Sequence, residues 1–146
     1  RELENAQQAL ALAPEEQKRW HVMGYQDRMG ETLAAADAVV SRSGATSLAE
    51  ISARAIPALL VPFPHATEDH QTKNAQAYVD AGCAYLLPDD RVATPEFRRL
   101  VLSLVQEPDV RARMAQAARG QKTADAARIL ADVVMEAAGR GPHALQ

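Results

Sequence analysis

Apolar residues in this chain fall into two alternating rhythms. Stretches with apolar positions every three or four residues are separated by short apolar runs of four to seven residues. The first rhythm predicts helices and the second strands. Leu3, Ala6, Leu10 and Ala13 give a helix over 3–12 that breaks at Pro14. Trp20 to Tyr25 reads as a strand with Gly24 near its exit, and Met29 to Ala36 as a helix with Met29, Leu33 and Ala36 on one face. A strand over Ala38–Ser41 and a helix over Ser47–Ala55 follow. Ile56-Pro57-Ala58-Leu59-Leu60-Val61-Pro62 is a continuous apolar run, as expected of a strand buried on both faces of a parallel sheet. After a loop at Phe63–Thr67, the pattern predicts a helix over Asp69–Ala81, ended by Gly82, and a strand over Cys83–Leu87. Thr94-Pro95-Glu96 is a helix start with Thr as cap and Pro at the first position, and Val101, Leu104 and Val105 give that helix its apolar side. Two further helices are expected over Asp109–Arg119 and Ala124–Ala138, the last with Ile129, Leu130, Val133, Val134 and Ala137 inward, before a frayed tail over 139–146.

Strands alternating with helices in this order predict an α/β fold with a doubly wound parallel sheet of about four to five strands. One domain over 1–138 accommodates the pattern. Ligands of such sheets sit beyond the C-terminal ends of the strands. Two loops meet that condition, Arg42–Thr46 and Pro62–His70.

Composition narrows the picture. Aromatic residues make up 4% of a chain that is 47% hydrophobic, so the core must be aliphatic and rich in alanine. A net charge of −3 without a basic stripe argues against nucleic acid as a partner. The single cysteine, Cys83, excludes an internal disulfide framework and fits a reducing compartment. No apolar run approaches the roughly 20 residues of a membrane span. The chain starts at Arg1 within an expected helix and without a signal peptide, so we expect it to be a piece of a longer protein.

The chemistry concentrates in Ala36–Glu50, which reads as a strand, a tight turn of small residues and a helix beginning near Thr46 or Ser47. Such a turn aims backbone N–H groups outward at the positive end of a helix, a ready site for phosphate or diphosphate. Glu50 follows one helical turn later, within reach of hydroxyls on whatever the turn holds. A second reading stands beside this one. Ser47 and Glu50 have the S-x-x-E spacing of a capping box that satisfies only the helix's own N–H groups. In the second loop, His70 and Asn74 lie four residues apart and Gln71 and Asn74 three apart, so all three can project from one helix face toward sugar hydroxyls. Here too a bland reading remains, with His65 and His70 as solvated loop histidines and Thr67 as a cap. The two His lack a Cys or third carboxylate at ligand spacing, so no metal site is expected, and no cofactor is called for.

Ser41-Arg42-Ser43-Gly44-Ala45-Thr46-Ser47-Leu48-Ala49-Glu50, Pro57-Ala58-Leu59-Leu60-Val61-Pro62 and His70-Gln71-Thr72-Lys73-Asn74-Ala75, in this order, resemble the donor-binding half of the MurG family, as does Asp27-Arg28-Met29. The resemblance covers roughly Val22 to Ala138. It implies half of a two-domain GT-B glycosyltransferase that transfers N-acetylglucosamine from UDP-GlcNAc to lipid I, giving lipid II, at the cytoplasmic face of the bacterial plasma membrane. Carried over by residue, it implies that Glu50 binds the ribose hydroxyls. Gly44, Ala45, Thr46, Ser47 and Leu48 line the diphosphate and ribose. His70, Gln71 and Asn74 meet the sugar, and the backbone of Gln26 meets uracil. The family's acceptor domain, with its proposed general base, and the Gly-Gly-Ser loop of its donor domain have no counterpart in this sequence. We therefore expect no catalytic residue here and no transfer by this chain alone. Two alternatives stay open: the donor-binding subunit of another GT-B enzyme acting on glycolipids or dolichol-linked sugars, and a non-catalytic nucleotide-binding domain.

Overall fold

The computed structural model describes residues 13–64 and 70–120. The expected helices over 3–12 and 124–138, the tail, His65 and Thr67 lie outside the described residues. Three parallel strands, β1 (Val39–Ser41), β2 (Ala58–Leu60) and β3 (Ala84–Leu86), form a sheet in the order β1-β2-β3. Val40 pairs with Leu59, and Leu59 with Tyr85. The pairing runs past the strand ends, where Val61 N–H donates to the Ser41 carbonyl and Leu87 N–H to the Leu60 carbonyl, each at 2.9 Å.

Helices cover both faces. The four-residue α1 (Pro14–Gln17) precedes α2 (Met29–Ala34), and α3 (Ala45–Ala53) and α4 (His70–Asp80) cross between the strands. A 3-10 turn over Asp89–Arg91 leads to α5 (Pro95–Gln106) and α6 (Pro108–Gly120). The alternation along β2 separates two cores. Ala58 and Leu60 pack with Leu33, Leu48, Ile51 and Ala75 from α2, α3 and α4. Leu59 and Val61 pack on the opposite face with Leu100, Leu104, Val110 and Met114 from α5 and α6. Ala58, Leu59 and Leu60 are wholly buried, the two-sided burial that the apolar run predicted.

Several expectations need correction. Trp20–Tyr25 is not a strand, and the described sheet has three strands rather than four or five. In the Trp20–Tyr25 segment Trp20, Met23 and Tyr25 are all exposed, without the one-sided burial of a strand on a core. On α5 the buried residues are Leu100 and Leu104, whereas Val105 is 65% exposed. Thr94 is the N-cap, but its hydroxyl donates to the Arg91 carbonyl at 2.6 Å instead of accepting from the helix. Gly82, at φ 75°, takes the left-handed position after α4 that its place in the sequence implied, whereas α3 ends through a left-handed Ala55 at φ 51°.

Candidate functional site

The turn leaving β1 delivers its chain directly into α3. Gly44 is the N-cap, with extended backbone at φ −62° and ψ 146°, and Ala45 is the first helical residue. This start corrects the expected one. Ser47 becomes the third helical residue and Glu50 the sixth, too deep to reach the N-cap, so the capping-box reading of Ser47 and Glu50 falls away. No side chain caps the helix, and its first turn carries no acid. By contrast α1, α2, α5 and α6 each hold an acidic residue in the first turn. The leading N–H groups of α3 therefore keep their capacity for an external acceptor, and the helix dipole is uncompensated there.

Gly44 does not need glycine's conformational freedom at that φ. Among the described residues a Cβ built on it would meet nothing within 4 Å, so they leave the space over the N-cap open. Glu50 is half-buried and, among the described residues, its carboxylate makes no hydrogen bond or ion pair. Thr46 is exposed and Ser47 half-buried.

The second loop is tied to the first. Ser43, wholly buried, donates its hydroxyl to the Gln71 carbonyl at 2.8 Å. The Gln71 side chain turns back, its Oε1 accepting the Phe63 N–H at 3.0 Å. That leaves the Gln71 amide nitrogen, a pure donor, for other partners. Arg42 reaches across the strand ends: its Nη1 donates to the carbonyls of Val61 at 3.3 Å and Pro62 at 3.1 Å and pairs with Asp89. Its guanidinium carbon also lies 5.6 Å from the centre of the Phe63 ring.

Asn74 and Lys73 of α4 face Ala45, Leu48 and Ala49 of α3 across a cleft of about 490 Å³. The structure thus brings Ala45, Leu48 and Asn74 together, and joins Gln71 to the turn at Ser43. His70 opens α4 as an exposed residue outside that cleft. Gln26 stands apart in its bonding, its Oε1 accepting the Arg28 N–H at 3.0 Å and its amide resting 3.8 Å from the Met23 sulfur. Sequence reasoning missed Arg42 and Ser43 as parts of the site. Both lie inside the Ser41–Glu50 motif, and their polar side chains directly after a strand were the available signal.

The chain is similar to proteins of known kind. An enzyme of Chlorobium phaeobacteroides named UDP-N-acetylglucosamine–N-acetylmuramyl-(pentapeptide) pyrophosphoryl-undecaprenol N-acetylglucosamine transferase is 42% identical over 114 residues, 78% of this chain and 31% of its own length. The enzyme of that name from Leuconostoc mesenteroides is 38% identical over 136 residues, 93% of this chain and 37% of its own. The chain thus spans about a third of the curated relatives it matches. Among solved structures, Acinetobacter baumannii MurG superposes with a TM-score of 0.69 at 27% identity, over 80% of this chain and 35% of that one. Spinosyn forosaminyltransferase SpnP, at TM-score 0.52 and 17% identity over 78% of this chain and 32% of that one, shares the fold. Residues 2–130 match the model of the glycosyltransferase family 28 C-terminal domain, and the chain belongs to that family.

Proposed function

We propose that this chain is the UDP-N-acetylglucosamine-binding part of an inverting N-acetylglucosaminyltransferase that converts lipid I to lipid II in peptidoglycan synthesis. The observation that carries the reading is the start of α3: an N-terminus without side-chain cap or acid and, among the described residues, open space over Gly44 and a Glu50 carboxylate one turn along without a partner. Relatives named for this transfer, matched over most of this chain, support it.

In this reading the N–H groups of Ala45, Thr46 and Ser47 receive the diphosphate, with Gly44 and Leu48 lining the same turn. Glu50 accepts hydrogen bonds from the ribose hydroxyls. His70, the Gln71 amide nitrogen and Asn74 address the sugar, and the backbone of Gln26 meets uracil. When the acceptor hydroxyl attacks the anomeric carbon, negative charge grows on the departing UDP. Fixed donors and a helix dipole stabilise that charge with little reorganisation. Residues 1–138 make up the donor domain and 139–146 a tail. The acceptor side and the contact with the inner face of the plasma membrane belong to the remaining length seen in the relatives. No helix among the described residues is long and apolar enough to cross a membrane.

The test is transfer by the full-length product of the gene that encodes this chain. With radiolabelled UDP-GlcNAc and a lipid I analogue, it is expected to form the lipid II analogue. Transfer to a dolichol-linked or glycolipid acceptor instead, or no transfer from UDP-GlcNAc, contradicts the assignment.

A further inference from the structure

We propose that Arg42 is a positioning residue that holds the turn after β1, the Val61–Pro62 segment after β2 and Asp89 after β3 in one fixed arrangement. This inference rests on the donor-site reading above for what the loops bind. The geometry itself is independent of it. Arg42 directly follows β1, yet its Nη1 donates to the Val61 and Pro62 carbonyls beyond β2 and pairs with Asp89 beyond β3. One guanidinium therefore joins the C-terminal ends of all three strands. The next residue makes a second tie, since the buried Ser43 hydroxyl donates to the Gln71 carbonyl. Pro62 leads into Phe63, whose N–H fixes Gln71 Oε1 and so decides which way the Gln71 amide nitrogen faces. The turn that presents the α3 N-terminus and the glutamine on α4 are thereby coupled through two adjacent side chains.

The contribution of Arg42 is placement rather than attraction. Its charge is already matched by Asp89, and the donating Nη1 is spent on protein acceptors. Holding N–H donors in place before a ligand arrives removes the cost of ordering them on binding. The arrangement has an internal control. Arg111 performs the same kind of bonding away from these loops, its Nη1 donating to the Leu104 carbonyl at 2.7 Å and the Val105 carbonyl at 2.9 Å at the end of α5. Both arginines anchor backbone carbonyls; only Arg42 does so between the loops.

The experiment titrates UDP into the chain and into Arg42→Gln and Arg111→Gln variants, with melting temperatures measured alongside. Arg42→Gln is expected to weaken UDP binding about five- to twentyfold, and Arg111→Gln to change it by less than about twofold even where it lowers the melting temperature as much. Arg42→Lys, which keeps the ion pair with Asp89 but not the planar fork, is expected to recover part of the loss. UDP affinity of Arg42→Gln within about twofold of the parent overturns the proposal. If the parent binds no UDP, the donor-site reading fails on its own, and the clamp is read from amide exchange. Arg42→Gln then speeds exchange at the Phe63 N–H by about tenfold or more and shifts the Gln71 side-chain amide signals, while Arg111→Gln moves neither. Unchanged exchange at Phe63 overturns the clamp in that case.

Discussion

Glu50 shows how an offset of three residues in the cap decides a role. Had Ser47 been the N-cap of α3, Glu50 would have sat where a capping box needs it. Because Gly44 is the cap, the carboxylate lies too far along the helix to serve its N-terminus. Glu50→Gln is therefore expected to leave the melting temperature almost unchanged while weakening UDP binding by about 1–3 kcal/mol, the range for hydrogen bonds to a charged group. A drop in stability with intact binding would return Glu50 to a structural role. Gly44 offers the complementary test. Its backbone suits any residue and a methyl there touches nothing, so Gly44→Ala should alter stability by less than about 1 kcal/mol. The same methyl stands in the open space over the α3 N-terminus, and UDP titration should show a clear loss of affinity. The sequence made the motif visible but left its exact start undecided, because Gly44, Thr46 and Ser47 are all acceptable caps. Arg42 and Ser43 were less legible still, since their partners at Val61, Pro62, Gln71 and Asp89 are distant in sequence.

Elements were legible wherever burial is two-sided or a helix end carries a special residue. β2 declared itself because both of its faces are covered, and Leu59 sits at the centre of the α5–α6 face. Leu59→Ala is expected to cost about 2–5 kcal/mol in chemical denaturation, the range for a buried leucine that leaves a cavity. Trp20–Tyr25 was misread because β-forming residues signal a pleated surface that packs on a neighbouring strand, and no strand among the described residues pairs with this segment, whose Trp20, Met23 and Tyr25 stay exposed. The pairing of α3 with α4 was invisible in the sequence. Tyr78 supplies it, donating its hydroxyl to the Leu48 carbonyl at 3.0 Å. Burial raises the Tyr78 phenol above its ordinary 10.0, partly offset by a hydrogen bond with Ser52. Burial likewise raises the Cys83 thiol above 9.0. In both groups the native state holds the proton more tightly than the unfolded chain does. Their contribution is thus complete below the unfolded values and is lost as pH climbs through the raised ones. Urea unfolding across that alkaline range should show stability falling, and Tyr78→Phe should flatten part of the fall while costing about 0.5–1.5 kcal/mol at neutral pH for the lost hydrogen bond.

At the scale of the molecule, the site is a property of the sheet's C-terminal edge. Turn 42–44, the Pro62–Phe63 segment and Asp89 converge there because three parallel strands end side by side. The same sheet leaves β1 at an edge, with Val40 48% exposed and no further strand beside it among the described residues. An open edge invites association, and exposed Trp20, Met23 and Tyr25 add apolar surface. Light scattering over a concentration series should find self-association that Val40→Lys reduces; a strictly monomeric parent would contradict this. The α3 N-terminus and Glu50 as a nucleoside-diphosphate site are tested most directly by calorimetric titration of the chain with UDP, UDP-GlcNAc and ADP. Because most of the contacts assigned to Ala45–Glu50 address ribose and diphosphate, UDP should bind nearly as well as UDP-GlcNAc, and ADP more weakly. Absence of UDP binding, or a strong requirement for the sugar, would contradict the account.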